Sequence, residues 1–261
     1  MSVGGIWYSS LCLGRSLVAP LLPISLASCA SSGGDTATTP DELIRRHTEA
    51  RGGRIAIEAI STLEDKIRIV EPTYTADGLW RVNRIGRMRI DVFIGDQRAW
   101  TEGFDGKIAW QLPGGAVRAQ AAEAGAAALR HSALLPTNVL GLHEMSNHGA
   151  RLEYLAREDV GGAPYYVVVL TLDDGFATRY YLDPSSYLIA RSRVGKALHP
   201  DADPTPTIIE TVWSDFRQMA GVQFAYRSTD TDLATGKLLQ TTTILDIRVN
   251  PVVDDHLFET P

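Results

Sequence analysis

The stretch Gly78-Leu79-Trp80-Arg81-Val82-Asn83-Arg84-Ile85-Gly86-Arg87-Met88-Arg89-Ile90-Asp91-Val92-Phe93-Ile94 decides the fold class. From Arg87 onward its period is two. Arg87, Arg89 and Asp91 alternate with Met88, Ile90, Val92 and Ile94, so one face is charged and the other apolar, which is a half-buried β-strand. The same alternation recurs on both sides. Ile67 and Ile69 alternate with Lys66, Arg68 and Val70 before it. Segments 97–103 and 108–112 follow it, joined by the turn signal Asp105-Gly106. Beyond residue 150 come strand patterns at 165–172, 178–182, 187–194, 207–216, 223–231 and 238–249. The segment 165–172 is apolar on both faces and reads as a central strand.

This count predicts about 10–11 antiparallel strands. A flat open sheet of that width would expose its edges and one apolar face, so it must curl or close. The expected class is therefore mainly β with flanking helices (α+β): a curved, incompletely closed antiparallel barrel with helices lidding the concave face.

Helices are expected at the front and in the middle. Thr39-Pro40-Asp41-Glu42 has a capping residue, a proline suited to the first turn and a capping-box glutamate. The helix should run to about Ala50 and stop at Gly52-Gly53, with a short second helix near 54–60. Residues 116–130 hold eight alanines and no β-branched residue after Val117, which predicts a helix there. It would form part of a helical insert near 114–148, and another short helix is expected within 138–148.

The chain has 261 residues, 44% of them hydrophobic, and a formal charge of −6. That balance lacks the broad positive field of a nucleic-acid binder. The two cysteines, Cys12 and Cys29, both lie near the N-terminus, so no zinc ribbon or internal disulfide of the folded part is expected. Residues 1–28 carry one charged side chain, Arg15, followed by a short apolar run broken by Pro20 and Pro23. This suits a secretory signal segment rather than a membrane-spanning helix. It ends in Leu26-Ala27-Ser28-Cys29, which resembles the bacterial lipobox. That resemblance implies cleavage before Cys29, acylation of Cys29, and attachment to a membrane through it. Ala30 in place of an acidic residue implies the periplasmic face of the outer membrane. Residues 29–39 are small and polar and read as a flexible tether, leaving 40–261 as the folded domain.

Catalytic signatures are scarce. His143 and His148 are five residues apart, about 140° out of phase on a helix, whereas a zinc helix needs histidines four apart. There is no nucleophile elbow and no phosphate loop. No enzyme activity, metal or cofactor is expected.

Two ordered motifs resemble a known family. Gly78-Leu79-Trp80 followed by Arg84, and then Phe104-Asp105-Gly106-Lys107-Ile108-Ala109-Trp110, are similar to motifs of the bacterial lipoprotein carrier and acceptor family, LolA and LolB. The hairpin Asp183-Pro184-Ser185-Ser186-Tyr187-Leu188 and the C-terminal Leu257-Phe258-Glu259-Thr260-Pro261 are similar as well. The resemblance implies an apolar cavity for acyl chains between sheet and lid. It also implies a lid-holding arginine, which is Arg84, or Arg81 given a one-residue shift in the motif. The candidate cavity-lining residues are Trp80, Met88, Ile90, Val92, Trp100, Phe104, Trp110 and Trp213.

The function expected on these grounds is a lipid-anchored periplasmic protein that holds acyl chains of a lipid or lipoprotein, in envelope trafficking. No protein partner is named by the sequence. Two alternatives stay open: a non-catalytic envelope scaffold with a filled core, and a hydrolase assembled from distant carboxylates.

Overall fold

The computed structural model describes residues 39–123 and 125–261. The signal segment, Cys29 and residues 29–38 of the tether lie outside the described residues. The chain opens with two helices, α1 (Pro40–Ala50) and α2 (Arg54–Glu58). Thr39 caps α1, its Oγ1 accepting from the Glu42 N–H at 3.2 Å, and Pro40 occupies the first turn. The predicted stop is also observed. Gly52 has φ +127°, and a side chain there would collide with the backbone of Gly221. The Gln223 N–H donates to the Arg51 carbonyl at 2.8 Å and docks the end of α1 on the sheet.

Six strands follow: β1 (Thr62–Val70), β2 (Thr75–Asn83), β3 (Met88–Ile94), β4 (Gln97–Phe104), β5 (Ala109–Pro113) and the two-residue β6 (Gln120–Ala121). After helix α3 (Ala126–Ala133) and a 3-10 helix (Leu142–His148) come seven more. These are β7 (Arg151–Val160), β8 (Ala163–Thr171), β9 (Ala177–Leu182), β10 (Ile189–Lys196), β11 (Thr207–Met219), β12 (Val222–Asp232) and β13 (Leu238–Val249). Among the described residues they form one antiparallel sheet of 13 strands in the order 6-5-4-3-2-1-13-12-11-10-9-8-7. It is curved and does not close into a barrel, which is the expected class with more strands than expected.

The order explains the lid. Two meanders meet at β1 and β13, so the outer edges are β6 and β7, which are consecutive in sequence. The connection between them must travel from one edge of the sheet to the other. It does so as α3, residues 134–141 and the 3-10 helix. This path and α1–α2 cover the concave face. Leu43, Ile57, Ile60, Leu140, Leu142 and Met145 are fully buried beneath it. Each contributes about 1.5–3 kcal/mol relative to an exposed side chain.

Two expectations are corrected. The alanine-rich stretch is not one helix: residues 120–121 pair with Gln111 and Trp110 as β6, and only Ala126–Ala133 is α-helical. Ladder bonds to the open edge of β5 outweigh a helix propensity of a few tenths of a kcal/mol per residue. The doubly apolar strand β8 is not central but second from an edge. Its second apolar face is explained by a small separate cluster, in which Tyr165, Val167 and Tyr181 pack together under Arg191 and Arg193.

Candidate functional site: an arginine-held lid over the concave face

Strand register assigns each candidate residue to a face. Trp80 opposes Ile90, and Val82 opposes Met88, so these point to the concave side. Met88 opposes Phe104 and Val92 opposes Trp100, which adds Phe104 and Trp100 to that side. Met88, Val92 and Phe104 are buried there, while Trp80, Ile90 and Trp100 are partly buried.

Trp110 departs from the expectation. It opposes Gly103, whereas Phe104 opposes Ala109, so Trp110 stands on the convex face. It fills the space over Gly103, and its Nε1 donates to the Phe258 carbonyl at 2.9 Å. The C-terminal segment buries it completely. Trp110 therefore cannot line a cavity on the concave side.

The two candidate arginines have different surroundings. Arg81 lies on the convex face, where its Nε donates to Glu64 at 2.7 Å and its Nη1 to Asp91 at 3.0 Å. Arg89 and Thr101 also donate to Asp91. Burial opposes ionisation of Asp91, but the hydrogen bonds from Arg89 and Thr101 outweigh it and hold the carboxyl below its ordinary range. Arg84, in the β2–β3 turn, reaches the lid instead. Its Nε donates to the Ile60 carbonyl at 2.7 Å, and its Nη2 to the Val139 carbonyl at 2.7 Å and to the Ile57 carbonyl. Its Nη1 pairs with Glu144 of the 3-10 helix, whose other oxygen accepts from the Gly141 N–H at 2.9 Å.

Sequence reading missed a second lid contact, Arg51. It is 3% exposed. Its guanidinium donates to the carbonyls of Pro136 at 2.6 Å, Leu140 at 2.7 Å and Asn138 at 2.9 Å, with Thr137 at 3.4 Å. Residues 136–140 belong to no helix or strand, so their carbonyls have no ladder to join. The rigid fork of an arginine suits several such acceptors at once. Burial lowers the Arg51 pKa to about 10, so it stays charged near neutrality. Nothing local in the sequence separates this arginine from an exposed one.

The inward stripe of α1 is correspondingly polar. Leu43, His47 and Thr48 are buried on it, and Arg51 continues it. His143 carries the lid onto the helices, its Nδ1 lying 3.3 Å from Thr48 Oγ1 and its Nε2 3.4 Å from Glu58. Farther along the connection, Asp174 of the β8–β9 turn bonds Arg130 and His131 of α3.

Between α1, residues 137–138 and the sheet lies a cavity of about 60 Å³. Among the candidates named from the sequence, Trp213 alone lines it, beside His47, Arg51, Leu63, Asp65 and Phe224. Among its lining residues, four side-chain atoms are fully buried and have no hydrogen-bond partner among the described residues: His47 Nε2, Asp65 Oδ1, Thr137 Oγ1 and Trp213 Nε1. Burial, with some help from the Arg51 charge, lowers the His47 pKa to about 3. Burial pushes Asp65 up to about 7, and Asp246 and Glu64 add to the shift. A larger, open groove of about 730 Å³ lies on the lid between α1 and the 3-10 helix, but its rim carries Arg45, Glu49, Arg54 and Arg151. Among the described residues no cluster of His, Cys, Asp and Glu is placed to hold a metal ion.

Known proteins share this architecture at low sequence identity. No protein-family model and no curated protein matches the sequence. A LolA superfamily protein from Nitrosomonas europaea superposes with a TM-score of 0.57 at 11% identity, over 86% of this chain and 99% of that one. A DUF1329 family protein from Desulfovibrio piger gives 0.55 at 10% identity, over 85% and 97%. A putative outer membrane lipoprotein-sorting protein domain from Vibrio parahaemolyticus gives 0.53 at 12% identity, over 85% and 96%. With its open antiparallel sheet curved around a helical lid, this chain has the fold of the LolA superfamily.

Proposed function

We propose that this protein is a non-catalytic, lipid-anchored protein of the bacterial envelope that holds the acyl part of a lipid or lipoprotein between its curved sheet and its lid. Cys29 would supply the anchor at the periplasmic face of the outer membrane. The observation that carries the reading is the bonding of Arg84 to the lid through Ile57, Val139 and Glu144. These contacts tie the lid to a turn of the sheet, beside those that Arg51 makes to residues 136–140, so the position of the lid is coupled to groups that a change at Arg84 alone would alter. On this reading the lid is closed over the sheet here, since a cavity of about 60 Å³ falls far below the roughly 300–1,000 Å³ of ligand pockets. Acyl uptake therefore requires displacement of the lid.

That same small volume favours the second reading, a scaffold lipoprotein whose interior is filled by its own side chains. One experiment separates the two. The full chain carrying Cys29→Ala is purified gently, then examined by native mass spectrometry and titrated with a fluorescent fatty acid. Co-purifying lipid or saturable uptake supports the acyl-binding reading. Absence of both, with Arg84→Leu equally inert, supports the scaffold.

A further inference from the structure

We infer that residues 197–206, the connection between β10 and β11, form a strap that closes the concave face at the end away from the lid, and that mild acid tightens it. This closure is independent of the acyl-binding reading, which would make it a second way to the concave face.

Arg84 and the lid stand where β2 finishes and β10 begins. The β1–β2 turn and residues 197–206 lie at the opposite end of the same strands. In the sheet, β11 stands seven strands from β5, about 34 Å at the usual spacing. The strap nevertheless touches the far meander directly. His199 Nε2 lies 2.7 Å from Glu71 Oε1, just past the end of β1. The Gln111 amide of β5 donates to Asp201. Gln111 opposes Glu102 on the side of Phe104, which is the concave side. The Asp201 carboxylate also lies against Gly125 at the start of α3, where an added Cβ would be 2.8 Å from its Oδ2. Asp201 is five residues beyond the end of β10, at most about 17 Å of chain. The strap therefore meets β5 only because the sheet curves round to it, and it spans the mouth between the two meanders.

The build of the strap and the charges facing it set the pH response. Pro200, Pro204 and Pro206 have no N–H to offer a ladder. The N–H groups of Ala202 and Asp203 donate to the His199 carbonyl at 3.0 and 2.8 Å, so the strap turns back on itself. The His199 side chain is 46% exposed, whereas Glu71 is 9% exposed and also accepts from the Tyr74 hydroxyl at 2.6 Å. Protonating His199 places a cation against the Glu71 carboxylate. Burial, and then the charge of Asp201, pushes Glu102 above its ordinary range, although Gln111 bonds to it as well. The proton that Glu102 gains as pH falls removes its repulsion of Asp201. Both changes draw the strap in. Asp230, raised by burial, faces Glu71 and Lys196 at the root of the strap, where β10 fixes the backbone. Asp203 is held below its ordinary range by the Thr205 N–H and stays ionised.

Hydrogen–deuterium exchange of the full chain carrying Cys29→Ala tests this at about pH 5.5 and about pH 8, on either side of where histidines ordinarily titrate. Rates are divided by those of the unstructured peptide at each pH. Amides of residues 197–205 should be about two- to fivefold better protected at the lower pH, the effect of one partly exposed ion pair. His199→Gln should remove most of that difference. Glu71→Gln should do the same from the other side of the contact, which separates the pair from a local change at position 199. Amides of residues 137–148, in the lid, should keep wild-type protection in both variants. Equal protection at the two pH values, or a difference that survives both substitutions, overturns the strap and leaves 197–206 a surface loop. A fluorescent fatty acid added to the same samples reports separately on acyl binding. A strap that follows pH without any uptake stands by itself, and the acyl-binding reading alone falls.

Discussion

Arg51 and Arg84 divide one strip of backbone between them: Arg51 takes the carbonyls of Pro136, Thr137, Asn138 and Leu140, and Arg84 takes that of Val139. One arginine stands at the end of the first helix and the other in a hairpin turn of the sheet. The irregular middle of the lid is thus pinned from both sides. Their contributions differ in burial and therefore in consequence.

Arg51→Met should lower stability by about 3–5 kcal/mol, because it leaves several buried carbonyls without donors. Urea unfolding of the two proteins measures this. Arg51→Lys should recover less than half, since an ammonium cannot span the same acceptors. A loss below 1 kcal/mol for Arg51→Met would mean that water readily replaces the guanidinium.

Arg84→Leu should loosen the lid more than the molecule. Backbone amides of residues 137–148 should exchange at least about 10-fold faster by hydrogen–deuterium exchange, while those of β10–β12 keep their protection. Equal acceleration everywhere would identify Arg84 as part of the global core rather than a latch.

The pH dependence of stability separates the two titratable groups of the cavity. His47 titrates near 3 in the folded state against 6.5 unfolded. Between those values the unfolded chain binds more protons, so this group makes stability rise with pH. Asp65 titrates near 7 against 3.8. Between those values the folded chain holds the proton, so this group makes stability fall as pH rises. The two oppose each other from about pH 4 to 6.5. Asp65→Asn removes the second term, so stability relative to wild type should climb with pH there, by at most about 1.4 kcal/mol per unit. A flat difference across that window would place Asp65 in contact with solvent.

Gly103→Ala tests the convex face. An added Cβ would lie 2.5 Å from the Trp110 ring and 3.0 Å from the Met88 carbonyl. Overpacking of this kind should cost about 1–3 kcal/mol, read as a lower thermal midpoint. An unchanged midpoint would show that Trp110 is free to move off the sheet.

Cys29→Ala should shift the protein from the membrane fraction to the soluble periplasmic fraction, which cell fractionation with immunoblotting would measure. Retention in the membrane fraction would remove the acyl anchor from the proposed function.

Local chemistry was enough for much of this molecule. The first helix, its cap and its stop follow from Thr39, Pro40 and Gly52, because each acts within one turn of chain. The alternation of Met88, Ile90 and Val92 with Arg89 and Asp91 determined a strand and its two faces, because the period of two is a property of the extended backbone itself. Which face turns inward is another matter. Trp110 is as apolar as Trp80, and only the pairing of β4 with β5 and the arrival of Phe258 send it to the convex side. The junction of β1 with β13 joins segments at opposite ends of the domain. That pairing, settled by burial over long range, forces residues 122–150 to travel edge to edge and so creates the lid. Arg51 took its role from this alone: a guanidinium becomes structural only where distant, unladdered carbonyls converge on it.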